Sequence, residues 1–451
     1  MSNNNENKLI SGGVAKSLVS FTIPILFALL LQVMYGAIDM FIVGNFASIN
    51  DVSGVSTGSQ LINFLTSLCA GLAMGTTILV GQKRGERNEE EIGGVIANSI
   101  ALFFGISLVL MAIMLIFRGS IVSGMNTPEE AITQTSSYIF YSAIGVPMIF
   151  AYNILGSIFR GLGDSKTPLL AVAIACVANI VGDMVLVAHC GMGAEGAAIA
   201  TVGAQAISVI ISIYIIRKRS LFNYQMGLRS FKINVGYINR IIWLGVPIAL
   251  QCGLTALSFL FVMVVVNKFG VVFSAAVGVN EKLISAILLI PMAFMQSISV
   301  FVAQNYGAHD FYRTKRGLKV GIIISLATGF TMANISLFHG DALISIFTQN
   351  QQVIEAARAY LNAYVIEIML VSILFCLTGY LNGCGATIYV MIQGVIGAVV
   401  IRLSLTYIFS LIEPTSLFRI GLATPIATAV QVIMCLYFIS VIDKKIKHNL
   451  L

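Results

Sequence analysis

Residues 18–43 read LVSFTIPILFALLLQVMYGAIDMFIV, an apolar run in which Asp39 is the only charged residue. The run is long enough for a helix that crosses a membrane, because a hydrocarbon core about 30 Å thick needs about 20 apolar residues. An acid at the centre of such a helix costs about 2.5–3.5 kcal/mol on insertion scales. The run therefore predicts a membrane helix and makes Asp39 a candidate functional residue.

Composition places the rest of the chain in the same class. Of 451 residues, 58% are hydrophobic and 10% are charged, and the mean hydropathy is +0.93, whereas soluble domains carry about 25% charged residues. Residues 1–16 are polar and lack the layout of a signal peptide, so we expect a cytoplasmic tail there. The seven cysteines lie mostly in apolar segments and are expected to be small buried side chains rather than metal ligands.

Twelve apolar segments are separated by polar loops such as GQKRGERNEEE and YGAHDFYRTKRG. The predicted fold is therefore an all-α polytopic membrane protein. The predicted spans are 17–44, 52–80, 93–117, 131–157, 167–189, 194–216, 240–267, 272–303, 317–338, 357–380, 386–411 and 417–442.

Lysine and arginine gather in the loops on one side of these spans. If the N-terminus is inside, the outside loops hold only Arg118, Lys268, Arg358 and Arg419. The positive-inside rule then predicts that both termini are cytoplasmic. The net charge of +7 is thus explained by topology rather than by nucleic-acid binding.

The chain also repeats itself at a nearly constant offset of about 222 residues. The matching stretches are FTIPIL with LGVPIA, VGQKRG with VAQNYG, and FRGLGD with LNGCGA. Each half has six spans, so we expect two lobes, 17–220 and 240–442, joined by a cytoplasmic linker 221–239 and followed by a tail 443–451. Such repeats are typical of transporters that alternate between inward-facing and outward-facing states.

Four acids lie in or near the spans: Asp39, Asp183, Glu281 and Glu367. None of them has an acidic counterpart at the matching position of the other half. Residues needed only for the shared fold should recur in both halves. The asymmetry therefore favours a functional role for these acids.

Three spans carry polar residues at helical spacings of three and four. They are Gln32, Tyr35 and Asp39 in span one, Asn179 and Asp183 in span five, and Thr201, Gln205 and Ser208 in span six. Carboxylate, amide and hydroxyl oxygens suit Na⁺, since hard cations prefer oxygen ligands. The same acids could instead exchange protons, or they could form structural hydrogen bonds.

The roles of Glu367, Arg402 and two prolines are left open by the sequence. Glu367 could be a secondary acid that faces a cavity from the other lobe. Arg402 is expected either to snorkel towards the membrane surface or to be structurally paired. Pro24 and Pro247 occupy matching places in spans one and seven, and each could be a static bend or a hinge.

The loop GLGDSKT, residues 161–167, is similar to a phosphate-binding loop. It has Ser165 where that motif needs glycine before the lysine, and no strand precedes it. Other catalytic motifs are also missing from the sequence. We therefore do not expect an enzyme.

The order of these motifs resembles that of the bacterial multidrug and toxic compound extrusion (MATE) family. The resemblance rests on the proline of span one, YGAIDMFIVG, RGLGDSKTP, NIVGD, GAEGAAIAT and QNYGA. It implies two six-helix bundles in a V shape that exchange H⁺ or Na⁺ for organic, often cationic and amphipathic, compounds. We therefore expect a multi-pass protein of the cell membrane, in contact with lipid, monomeric, and with no cofactor besides the coupling ion.

The resemblance also implies the site residues. A cation site would be formed by Asp39, Asn179, Asp183 and Thr201, which could hold Na⁺, and nearby drug contacts by Gln32, Tyr35 and Asn153. Many relatives carry acids on helices seven and ten, but span seven has none here and Glu367 lies about one turn early. The main alternative is a flippase for lipid-linked or polysaccharide precursors in the same superfamily; an integral-membrane enzyme or a receptor has little support.

Overall fold

The computed structural model describes residues 8–218, 233–412 and 416–449. Within these ranges the chain forms no strand, and twelve helices are long and apolar enough to cross a membrane. They are α1 (Val14–Phe46), α2 (Ile49–Gly85), α3 (Glu89–Ile116), α4 (Ile132–Gly161), α5 (Lys166–His189), α6 (Gly193–Lys218), α7 (Val235–Asn267), α8 (Val271–Gly307), α9 (Phe311–Ser345), α10 (Gln351–Gly383), α11 (Thr387–Ile412) and α12 (Leu417–Asn449).

The predicted all-α fold is confirmed, and every predicted span overlaps one of these helices. Three short helical segments, Lys8–Ser11, Arg118–Gly124 and Glu129–Ala131, lie between or before them. Most of the predicted linker 221–239 and the outer parts of both predicted tails lie outside the described residues.

Polar caps explain where several helices begin. Ser48 and Asp51 form a reciprocal capping box at the start of α2, and the Asn88 side chain accepts a hydrogen bond from the Glu91 amide at the start of α3. Such caps satisfy backbone N–H groups that have no partner within the helix. Asp51 also accepts from the Ala194 amide at 3.0 Å, which ties the start of α6 to α2.

The sequence repeat is visible in the backbone. Gly163 and Gly385, in the matching loops RGLGD and NGCGA, both have positive φ angles, +88° and +76°. Arg87 and His309, which are separated by the same offset, share a φ of +57°. The left-handed region is uncommon for residues other than glycine. At Arg87 and His309 the two halves therefore have the same turn geometry although their side chains differ.

The helices divide into two compact units. The N-terminal unit is Ile23–Ala249, and the C-terminal unit consists of the described residues of Met1–Thr22 and Leu250–Leu451. The divisions fall within α1 and α7, next to Pro24 and Pro247, because the first part of each helix packs with the other half of the sequence. The predicted lobes 17–220 and 240–442 place the division in the linker instead.

Close backbone packing holds these helix segments in place. In the N-terminal unit, a Cβ atom at Gly75 of α2 would lie 2.6 Å from the carbonyl oxygen of Ile241, on the first part of α7. In the C-terminal unit, Leu18 of α1 is fully buried and lies near Gly321 of α9. Small residues allow membrane helices to approach this closely.

The fifth helix of each half contains a π-helical segment. The segment in α5 is Met184–His189, directly after Asp183, and the segment in α11 is Ile396–Arg402, which ends on a charged residue. A π-bulge breaks the regular hydrogen-bond ladder and is frequent at functional sites. Each half therefore places a buried charge beside an irregular turn, an acid in α5 and a base in α11.

Candidate functional site

Two acids predicted from the sequence lie side by side within the N-terminal unit. Asp39 of α1 is 9% exposed and Asp183 of α5 is fully buried. Each carboxyl group is the other's charged neighbour, within hydrogen-bonding range. Ionised carboxylates only accept hydrogen bonds, so two of them at this range need a proton or a cation between them.

The oxygen atoms around this pair lack hydrogen-bond donors. Both carboxyl oxygens of Asp183, Oδ1 of Asp39 and Oδ1 of Asn179 accept no hydrogen bond from any described residue. Buried polar atoms are normally paired, so four unpaired oxygens in one place fit a bound cation or shared protons. Among the described residues, no group of three or more His, Cys, Asp or Glu side chains is arranged so that it could hold a metal ion.

Asn179 and Thr201 connect the acid pair to α6. Asn179 Nδ2 donates to Thr201 Oγ1 at 3.4 Å, across α5 and α6. This bond turns the amide nitrogen towards α6 and leaves the amide oxygen free for a ligand. The structure thus brings together all four residues of the predicted cation site.

A small cavity of about 20 Å³, with room for about one water molecule, adjoins these residues in the N-terminal unit. It is lined by Tyr35, Tyr152, Val172, Ala175, Asn179, Thr201, Ala204 and Gln205. Asn179 and Thr201 belong both to the cavity wall and to the predicted cation site. A molecule in this cavity would therefore lie next to any ion held by the acids.

The three predicted drug-contact residues differ in their relation to the cavity. Tyr35 lines the cavity, and Gln32 donates to the Tyr152 hydroxyl at 2.6 Å. Asn153 donates instead to the Ile149 carbonyl on its own helix at 2.8 Å and is not part of the cavity wall. Its neighbour Tyr152 takes that place, which the sequence reasoning missed.

Tyr138 of α4 was also missed. It is 4% exposed, and both Asp39 and Asp183 are among its charged neighbours. Gly58 of α2 makes room for its ring, since a Cβ atom at that position would clash with the ring. The signal in the sequence was Gly58 itself. A glycine inside a helix can leave room for a bulky side chain of a neighbouring helix, but it does not identify that side chain.

The acid predicted in the other half lies in the C-terminal unit and has a different environment. Glu367 of α10 is 5% exposed and accepts a hydrogen bond from Thr428 at 2.9 Å. Arg402 is its charged neighbour. Arg402 does not snorkel: it is 5% exposed and donates to Ser258 at 2.9 Å, so of the two expectations the structural pairing is the one observed.

Comparison with known families also detects the internal repeat of the sequence. A family model described as MatE matches residues 24–185 and again residues 247–408. The chain belongs to the MatE family. As a member it is a transporter and not an enzyme. The two matches begin at Pro24 and Pro247, the prolines that open the sequence repeat.

Curated relatives of this MatE protein include bacterial proteins named for multidrug resistance or multidrug export. "Probable multidrug resistance protein YoeA" of Bacillus subtilis is 25% identical over 96% of this chain and 95% of its own length. "Probable multidrug resistance protein YpnP" of the same organism is 27% identical over 88% and 89%. "Multidrug export protein MepA" of Staphylococcus aureus is 25% identical over 85% of each chain.

Solved structures share the fold of this MatE chain. The outward-facing conformation of a multidrug resistance MATE family transporter aligns with a TM-score of 0.92 at 19% identity and covers 99% of this chain and 100% of the other. A transporter from Pyrococcus furiosus aligns with a TM-score of 0.91 at 20% identity, over 99% and 100%. In that second protein, reverse polarity of the binding pocket suggests a different function.

Proposed function

We propose that this protein exports drug-like organic cations in exchange for H⁺ or Na⁺. The observation that carries the proposal is the buried pair Asp39 and Asp183, three of whose four carboxyl oxygens lack donors, together with the nearby cavity that Asn179 and Thr201 line. The multidrug relatives support the substrate class. No cofactor is required besides the coupling ion.

Charge balance explains how the exchange would work. Two adjacent buried carboxylates repel each other, and a cation or proton between them relieves this repulsion. An organic cation would supply positive charge at the same place in a conformation that widens the cavity of about 20 Å³, so each favours release of the other. Coupling then requires only that ion and drug prefer different conformations of the transporter, since a ligand shifts a conformational equilibrium by its differential affinity.

The topology belongs to the same proposal. With both termini cytoplasmic, as the distribution of lysine and arginine indicates, the protein would work as a monomer in the cell membrane, surrounded by lipid. The halves of the sequence would act as two lobes that alternate access to the cavity. Pro24 lies between Asp39 and the first part of α1, which belongs to the other unit, and this position supports a role as a hinge.

Pocket polarity argues against the alternative of a flippase for lipid-linked or polysaccharide precursors. Such precursors carry phosphate groups, which an acidic site repels, and Asp39 and Asp183 adjoin the cavity through Asn179 and Thr201. Arg160 is a charged neighbour of the cavity residue Tyr152, but it is not part of the cavity wall and donates to Ser157. The cavity therefore suits cations better than phosphorylated lipids.

Transport in proteoliposomes tests this proposal. The purified protein should accumulate or release a fluorescent cationic dye when a Na⁺ gradient or a pH gradient is imposed alone, and the gradient that works identifies the coupling ion. Asp39→Asn and Asp183→Asn should each abolish gradient-driven transport. Glu130→Gln, which removes an acid at an exposed position of the same unit, should not. Intact gradient-driven transport in both aspartate variants would overturn the mechanism.

A further inference from the structure

The C-terminal unit carries a group of positive side chains where α9 begins and α12 ends. Lys315 of α9 and Asp443 of α12 form an ion pair, with 2.8 Å between Nζ and Oδ2. Leu318 of α9 and Ile439 of α12 pack in one apolar cluster with Leu377 of α10. The start of α9 and the end of α12 therefore lie side by side, with α10 behind them.

Helical spacing places two more cations beside this ion pair. At 3.6 residues per turn, Lys319 lies about 40° around α9 from Lys315, and Lys444 lies about 100° around α12 from Asp443. Both lysines are exposed. Ile442, on the other side of Asp443 from Lys444, is buried in the apolar cluster. Both lysines therefore lie on the outer side of the two helices, away from α10.

Arg316, Lys319 and Lys444 form a basic face on this outer side. All three are exposed, and none takes part in an ion pair with a described residue. The acids nearby are already engaged, because Asp443 is held in its ion pair and Asp310 accepts a hydrogen bond from a backbone amide as the cap of α9. An anion at the basic face would therefore meet uncompensated positive charge.

Apolar side chains continue the basic face along both helices, towards the middle of the membrane. Ile323, one turn along α9 from Lys319, is 67% exposed. On α12, Leu436 and Ile433 are also exposed, and Ile433 lies on the same line as Lys444, about three turns away. A free anion would make no contact with these side chains. A phospholipid has acyl chains to lie beside them and a headgroup at the level of the lysines.

The matching place in the N-terminal unit lacks this charge. By the sequence repeat α9 corresponds to α3, which begins with Glu89, Glu90 and Glu91 and contains no lysine or arginine. Lys83, near the end of α2, pairs with both Glu86 and Glu91. The positive-inside rule applies to both halves and does not require that the cations share one face. Topology alone therefore does not explain the basic face.

We propose that the basic face binds a phospholipid with a net negative headgroup. Arg316, Lys319 and Lys444 contact the headgroup, and the acyl chains lie along Ile323 and Ile433. The proposed topology places this face at the cytoplasmic leaflet, where anionic lipids attract lysine and arginine next to membrane helices. Binding requires neither an ion gradient nor a transported compound, so it is independent of the exchange mechanism.

Native mass spectrometry of the purified full-length protein in detergent tests the site. Phosphatidylglycerol and phosphatidylcholine with the same acyl chains differ in net charge and are titrated separately. The wild type should bind its first phosphatidylglycerol more tightly than phosphatidylcholine. Lys319→Gln and Lys444→Gln should each weaken binding of phosphatidylglycerol about fivefold and leave binding of phosphatidylcholine unchanged.

Lys445→Gln is the matched control. Lys445 is exposed and directly follows Lys444, but it lies about 160° around α12 from Asp443, on the side away from α9. The control removes the same charge from the same helix and should leave both affinities unchanged. All three lysines are exposed, so each variant should keep the wild-type melting temperature.

Three results would overturn the proposal. The first is equal affinity of the wild type for the two lipids. The second is an equal loss in Lys444→Gln and Lys445→Gln, which would indicate an effect of net charge rather than of one face. The third is displacement of phosphatidylglycerol by an equal concentration of inorganic phosphate, which would indicate a site for a free anion. If Asp39→Asn and Asp183→Asn still transport while the lipid preference holds, only the exchange mechanism fails.

Discussion

Replacing Asp183 by asparagine should make the protein more stable and at the same time unable to couple transport to an ion. The side chain is fully buried, and neither of its oxygens receives a hydrogen bond from the residues described here. An amide has nearly the same shape, removes one of two adjacent negative charges, and brings two N–H donors. Asp39 Oδ1 and Asn179 Oδ1 both lack a donor and lie in the same site.

The size of the effect follows from these two acceptors. An intramolecular hydrogen bond contributes about 0.5–1.5 kcal/mol net, so two new bonds give about 1–3 kcal/mol, before any gain from reduced repulsion. For a domain of 150–250 residues, each kcal/mol shifts the melting temperature by about 2–4 °C. Asp183→Asn should therefore raise the apparent Tm by roughly 2–12 °C at neutral pH without Na⁺.

The response of stability to Na⁺ distinguishes the predicted effect of Asp183→Asn from a general stabilisation of the fold. If wild-type protein binds Na⁺ at the acid pair, 100 times its Kd of Na⁺ should add about 2.7 kcal/mol of stability by mass action. Asp183→Asn should lose this response, and any equivalent response to acid, because the site already has its donors. Glu130→Gln, the exposed acid of the same unit, should keep the wild-type response.

Scanning calorimetry or intrinsic fluorescence of the purified protein measures both effects, and transport in proteoliposomes measures coupling. A decrease of several degrees in Asp183→Asn would refute the reasoning, since it would mean that the carboxylate makes a structural contact. A higher Tm with intact gradient-driven transport would equally refute it, because Asp183 would then not be a coupling residue.

Two further predictions concern the cavity and the helix packing. Tyr152→Phe removes the hydroxyl that accepts the hydrogen bond from Gln32 and should weaken equilibrium binding of a cationic dye about two- to tenfold. Tyr214→Phe, on an exposed tyrosine, should leave binding unchanged, and equal affinities in both variants would contradict the placement of Tyr152. Gly75→Ala places a Cβ atom 2.6 Å from the Ile241 carbonyl oxygen and should destabilise the fold by about 1–3 kcal/mol. Gly105→Ala, where nothing lies within 4 Å, should slightly stabilise it because alanine favours helix; equal melting temperatures would show that α2 and α7 can separate at no cost.

The sequence was sufficient to predict the helices and to single out Asp39 and Asp183. Apolar runs of membrane length predict spans directly, and polar residues three and four apart predict that Asn179 and Asp183 share a face of α5. Neither argument needs long-range information. The convergence of α1, α5 and α6 also followed, because each of these helices has a polar stripe to bury.

Other features depend on contacts that no local pattern contains. Asn153 and Tyr152 differ by one position, or about 100° around α4, and both carry a polar group, so the local sequence does not fix which of them faces the cavity. The burial of Arg402 depends on Ser258 and Phe259, far away in the sequence. The unit divisions at Pro24 and Pro247 arise from packing between distant helices, whereas the sequence suggested the linker.

The matching left-handed turns bear on which side chains these loops tolerate. Gly163 and Gly385 share a residue type, whereas Arg87 and His309 adopt the same φ angle with different side chains. The bend at Arg87 and His309 therefore does not require one particular side chain, although the left-handed region is uncommon for residues other than glycine. The two halves are alike in these bends between helices and differ in their buried charges, which are Asp39 and Asp183 in one half and Glu367 and Arg402 in the other.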